Sequence, residues 1–167
     1  MAHRATAGLC ALATCGAVLC GSAPCHAEPP KTAIKYVAAK DLAAAVAAND
    51  AGLVARELAA DAGATTLVIG RNRSGEVEVH TVLNEIIIVE TGHAAMLVGG
   101  QVNGNHAISP TEWRGGEILG AARYELAAGD LLLIPAGVPH QCIVAGGDSL
   151  LYLTIKTPSA APAAAAR

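Results

Sequence analysis

The chain has 167 residues, long enough for one domain with a sizeable core, and carries 11 Lys+Arg against 14 Asp+Glu for a formal charge of −3. Such mild acidity offers no basic face for nucleic acid and no polybasic patch for a membrane surface. Phe is absent and the chain has one Trp and three Tyr, so Val, Ile, Leu and Ala must fill the core.

Residues 1 to 27 open with His3 and Arg4, continue through an apolar stretch from Ala5 to Ala23 and end at Pro24-Cys25-His26-Ala27. A positive start, an apolar middle and a small residue before the cut are the layout of a secretory signal peptide, with cleavage expected after Ala27. Glycines and cysteines interrupt the apolar stretch and no stop-transfer pattern follows, which argues against a retained membrane helix. The mature chain then has 140 residues, ten Lys+Arg, fourteen Asp+Glu and a charge of −4. Its cysteine is Cys142, because Cys10, Cys15, Cys20 and Cys25 leave with the signal, and no intramolecular disulfide forms. The implied location is periplasmic or secreted, with no membrane association after cleavage.

Residues 28 to 52 make an N-terminal segment holding the one good helix, Leu42 to Ala48, with Asp41 as cap and a stop near Asn49-Asp50-Ala51-Gly52. Beyond it the chain is punctuated at strand spacing. Strands are expected at 53–59, 64–70, 76–80, 85–90, 93–98, 117–119, 122–126, 130–134, 140–144 and 149–156. The first of these, within LVARELAA, also has helical propensity, though strand is the preferred reading. Residues 99–116 are the longest stretch without strand character and are read as a mouth-covering loop or a plain surface insertion. Residues 157–167, rich in Ala and Pro, form an expected disordered tail. Many short strands with Gly-rich turns, and no repeat of 20 to 50 residues, indicate an all-β sandwich or barrel.

Two segments carry the chemistry. In a strand, residues two apart share a face, so Glu78 and His80 point together, inward if Val77 and Val79 take the outer layer. Glu85 opens the next strand after a four-residue connection, and the run GDLLLIPAGVPH delivers His140 from a distant strand. Two imidazoles and two carboxylates buried together would be costly unless a divalent ion resolved the cost.

These residues resemble the cupin superfamily, whose second motif, G-x5-P-x-G-x2-H-x3-N, is matched by Gly129, Pro135, Gly137 and His140, with Val144 in place of Asn. The first motif, G-x5-H-x-H-x(3,4)-E-x6-G, is matched in its later half by His80, Glu85 and Gly92; Asn72 replaces its Gly and Glu78 its first His. The resemblance covers residues 53 to 156 and implies a double-stranded β-helix, or jelly-roll barrel, with one short N-terminal helix. It implies one divalent metal ion, Fe, Mn, Ni or Zn, on His80, Glu85 and His140. Glu78, in the position of the missing histidine, is a further ligand, a partner of bound water, or a neighbour of an unused site. It also implies a homodimer, with strand 53–59 and its helix as one source of the contact.

The functional expectation is an exported metal-dependent dioxygenase or isomerase acting on a small oxygenated molecule, with Glu78 as catalytic proton acceptor if it is not a ligand. The alternative is a non-catalytic protein that binds a small molecule or metal. Cys142 is read either as a cavity thiol or, preferably, as a small buried hydrophobe. His93 and His106 are read as surface residues, Glu90 and Glu125 as solvated, Tyr124 as cavity rim or packing, and Trp113 with Arg114 as gate or tether of the loop. The sequence has no GxSxG, phosphate-binding loop or dinucleotide fingerprint, and its mature part has no CxxC pair.

Overall fold

In this computed structural model the described residues are 35–45, 52–61 and 63–160, and among them the alternation of apolar and polar side chains resolves into twelve strands and one helix. The expected signal (1–27), the last turn of the expected helix (46–48) and most of the expected tail (161–167) lie outside the described residues. In chain order the elements are α1 (Ala39–Ala45), β1 (Leu53–Ala60), β2 (Thr65–Arg71), β3 (Glu78–His80), β4 (Leu83–Val98), β5 (Gln101–Asn103) and β6 (His106–Ser109). They continue with β7 (Glu112–Arg114), β8 (Glu117–Leu119), β9 (Ala122–Ala127), β10 (Leu131–Ile134), β11 (His140–Ile143) and β12 (Leu150–Pro158).

Ten strands form one curled antiparallel sheet in the path β1-β2-β12-β4-β11-β3-β7-β6, with β9 and β10 also paired to β4. The 16-residue strand β4 is the spine. Its first half pairs with β12 and β10, its second half with β9 and β11. Two expected strands, 85–90 and 93–98, are therefore one continuous strand that turns a corner where a break is expected at Thr91-Gly92. The corner needs glycine: Gly92 has φ +85°, and a Cβ there would meet the Ser149 carbonyl oxygen at 1.9 Å. Opposite it, the register between β4 and β12 shifts at Leu151/Tyr152, leaving Glu90 as the extra residue of a bulge that bends the sheet.

Curling closes an apolar interior. Inward-facing residues two apart on each strand meet across the barrel, so Ile69, Ile87, Met96, Cys142, Leu150 and Tyr152 pack in one cluster without any phenylalanine. The segment 99–116, read from the sequence as without strand character, contains β5, β6 and β7. β5 pairs with β8 as a small separate sheet, and the hairpin β6-β7 extends the main sheet beyond β3. Three-residue strands are too short to show alternation, so composition alone reads them as loop. Val79, expected in the outer layer, is 3% exposed and shares a pocket lining with Gly100 and Val102, residues of that segment.

The helix starts one turn before its expected first residue. It begins at Ala39, so Asp41 lies in the first turn, where its charge favours the helix dipole, instead of capping it. β12 runs on to Pro158, two residues past the expected end of the barrel.

Gly92→Ala is expected to destabilise the protein by about 2–4 kcal/mol, through a left-handed φ and a backbone clash together. A urea midpoint equal to that of the unmodified protein would refute the requirement for glycine at the corner.

Candidate metal centre

Four side chains expected to act together, Glu78, His80, Glu85 and His140, each offer a ligand atom within 4.8 Å of one another. The register explains why. Glu78 and His80 share the inner face of β3, and His140 at the start of β11 pairs with Glu78 on one side and Val98 of β4 on the other. Glu85 lies on the first half of β4, between Lys156 of β12 and Ile134 of β10. Three neighbouring strands thus point four polar groups at one spot in an apolar interior.

Glu85 is the centre of this arrangement. It is 5% exposed, and its Oε1 accepts a 2.6 Å hydrogen bond from the buried Thr154 hydroxyl. Its Oε2 is buried and makes no hydrogen bond, although the Nε2 atoms of His80 and His140 each lie 3.2 Å away. Burial pushes the carboxyl up, but both imidazoles and Lys156 outweigh it and hold Glu85 well below the usual carboxylate range. The two rings are tilted by 51° with centroids 5.5 Å apart.

The His140 tautomer suits a cation. His140 Nδ1 donates to the Val138 carbonyl at 3.1 Å, leaving the Nε2 lone pair facing inward. His80 Nδ1 faces Glu112 at 3.8 Å, while its Nε2 accepts from the Lys156 ammonium at 2.9 Å. Burial pushes the His80 imidazolium down, and the nearby carboxylates of Glu78 and Glu85 more than offset this, so its pKa is raised.

Glu78 plays a different part from Glu85. Its Oε1 is shared by two guanidiniums, Arg114 Nη1 at 2.6 Å and Arg71 Nη2 at 3.2 Å, while Oε2 faces His80 Nε2 at 3.6 Å. Burial pushes this carboxyl up, but His80, Arg114 and His140 prevail and lower it to about 2. Arg71 also donates from Nε to the Tyr152 hydroxyl at 3.0 Å, and Arg114 is clamped by Glu112.

Arg71, Tyr152, Thr154, Lys156 and Glu112 are missed by a motif-led reading, and Arg114 is placed there only in a loop. The signal was available in alternation: Leu67-Ile69-Arg71 and Leu150-Tyr152-Thr154-Lys156 are inward faces of adjacent strands. Cys142 lines the cavity at 4% exposure, and burial raises its thiol to about 11, so it behaves as a small apolar wall residue. The others lie outside the cavity: His93 is 71% exposed at its side chain, His106 and Tyr124 are exposed, and Trp113 turns outward beside the inward Glu112 and Arg114. Glu125 is exposed and pairs with Arg123, whereas Glu90 is half-buried at the bulge.

The family profile described as AraC-like ligand binding domain matches residues 118–166. Among solved structures, TT1209 of Thermus thermophilus superposes with a TM-score of 0.55 at 16% identity, over 75% of this chain and 98% of that one. An uncharacterised conserved protein with a double-stranded β-helix domain from Klebsiella pneumoniae gives 0.54 at 14% identity, over 77% of this chain and 94% of its own. The chain has the double-stranded β-helix fold. BH2720 of Bacillus halodurans matches it at 19% identity with a TM-score of 0.51, over 83% and 88% of the two chains. No curated protein matches the sequence. These likenesses speak for the fold, and the chemistry rests on the chain's own residues.

The depressed value of Glu78 has a stability consequence with a defined sign. Since its folded value of about 2 lies below the unfolded carboxylate's, the stabilisation is present above the unfolded value and is lost as pH falls towards the folded one. The loss is of order 3 kcal/mol between about pH 5 and 2. Glu78→Gln should flatten that part of the acid-unfolding curve measured by circular dichroism; parallel curves would refute the assignment. For Cys142, alkylation by iodoacetamide at neutral pH, followed by mass spectrometry of its peptide, should be slow in the folded protein and fast in urea. Rapid labelling of the native state would contradict its burial.

Proposed function

We propose that this chain is an exported cupin that binds one divalent metal ion on His80, Glu85 and His140, and through it a small oxygenated molecule. One observation carries the reading: the unpaired, buried Glu85 Oε2 faces two imidazole Nε2 atoms at 3.2 Å each. A buried carboxylate oxygen without a hydrogen bond costs on the order of 1–3 kcal/mol or more in a protein interior. Two nitrogens and one oxygen converging there fit Fe(II), Mn(II), Ni(II) or Zn(II). A bound ion would supply Lewis acidity or electron transfer to an oxygen-bearing ligand.

The remaining residues bind and orient. Glu78, with Oε1 fixed by two arginines, can turn only Oε2 to the ion or to water beside it. At about 2 it is a weak base at neutral pH, so we assign it to holding the site and not to accepting protons. Cys142 at about 11 and Tyr152, pushed still higher by burial, stay protonated. With these acids far from neutrality, the enzymatic forms of the reading, dioxygenase or isomerase, would need a bound ion to supply the reactivity. The same observation favours the second reading, a non-catalytic cupin that captures a small molecule or metal. A homodimer through the outer sheet face belongs to the proposal as well.

Elemental analysis of protein purified without a histidine tag tests the metal. About one equivalent per chain is expected, with His140→Ala losing it while remaining folded by circular dichroism. No metal in the unmodified protein after incubation with each of the four ions would overturn the reading. Oxygen uptake with catechols, diketones and hydroxy acids then separates a dioxygenase from a passive binder.

A further inference from the structure

The cavity beside the candidate centre has a volume of about 150 Å³, with Arg71, Arg114 and Lys156 among its lining side chains opposite Glu78 and Glu85. Pockets for drug-sized ligands run from roughly 300 to 1,000 Å³, so this one suits a small organic acid or a molecule of similar size. Its wall is shared. Leu53, Arg71, Glu78 and Arg114 also line a neighbouring cleft, to which Arg73 and Glu76 add one charge of each sign. Both guanidiniums thus stand in the lining of both spaces.

The charges can be balanced. Arg71 and Arg114 converge on one carboxylate oxygen of Glu78, Glu112 pairs with Arg114, and Lys156 stands against His80 near Glu85. Three cations therefore face three carboxylates, with the imidazoles neutral as ligands. A divalent ion added to this network leaves two positive charges uncompensated in a largely buried space, which is costly. A ligand bearing two negative charges removes that cost.

We propose that Arg71 and Arg114 recognise the carboxylate of a small dianionic organic acid whose other oxygen atoms face the metal-binding residues. The inference rests on the metal-binding reading above for its charge excess, and on the arginine geometry for its residues. Guanidiniums suit the task because each has five N–H donors in a fork that matches a carboxylate, and the contacts to Glu78, Glu112 and Tyr152 hold both in place. Arg71 is 7% exposed at the end of β2, and Arg114 sits on β7. Both are carried by strands, so the fork is fixed before the acid arrives.

Calorimetric titration of the Zn(II)-loaded protein with malonate, malonamide and sulfate tests this, with zinc stoichiometry measured on every sample. Malonate is expected to bind, malonamide not to bind, and sulfate to bind more weakly. Arg114→Gln and Arg71→Gln should each weaken malonate by about tenfold or more while zinc stays stoichiometric. Arg114, half-buried on an outer hairpin, keeps the test decisive if the Arg71 variant does not fold. Equal affinity for malonamide, sulfate binding as tight as malonate, or unchanged malonate affinity in Arg114→Gln would overturn the arginine assignment while leaving the metal reading intact. Absence of zinc binding in the unmodified protein overturns the metal reading instead; in that case malonate binding lost in Arg114→Gln still supports the arginine site, and no malonate binding ends both.

Discussion

The structure depends on the burial of one carboxylate. Glu85 sits near the start of a long strand at 5% exposure, in an interior made almost entirely of aliphatic side chains. Thr154 satisfies one of its oxygens and two imidazoles stand over the other. A charge buried this way is tolerated only when it is surrounded by opposite charge or shared donors. The neighbouring strands supply these: His80 from β3, His140 from β11, and Thr154 and Lys156 from β12. A sheet that failed to curl would leave these groups on separate surfaces.

The curl itself comes from β4. An antiparallel sheet of ordinary twist does not bring its ends together without a local device, and a bulge beside a left-handed glycine is such a device. Here the bulge at Glu90 and the turn at Gly92 let one strand serve two halves of the sheet, with Glu85 before the corner and Met96 after it. Both residues line the same cavity. The site is thus built on strands and not on loops, which keeps its geometry narrow.

Much of this was legible in the sequence, for a physical reason. Strand existence follows from period-two alternation and glycine punctuation, and the all-β barrel, the strand at 53–60 and the convergence of Glu78, His80, Glu85 and His140 could all be read that way. Three features could not. The continuity of β4 was hidden because Thr91-Gly92 has the composition of a turn, and only the opposing strand determines that it is a bulged corner. The strands between 101 and 114 were hidden because three residues carry no period, so Glu112 entered the site unannounced and Arg114 was read only as part of a loop. Arg71 and Lys156 were hidden differently: each is the charged last inward residue of an otherwise apolar face, which reads as a solvated strand end until the neighbouring strand folds over it.

These hidden residues change what the site can do. A motif of two histidines and two carboxylates suggests a proton acceptor near a metal, yet His80, Arg114 and His140 together hold Glu78 at about 2, which makes it a weak base at neutral pH. The arginines do something else in exchange. Because a guanidinium keeps its charge at every relevant pH, Arg71 and Arg114 hold a carboxylate in place without depending on the protonation of the imidazoles. The donors for a cation and the forks for an anion then lie on opposite sides of one carboxylate, Glu78, whose two oxygens face them separately. A cation at Oε2 and an acid at the guanidiniums would therefore share Glu78 as a common neighbour.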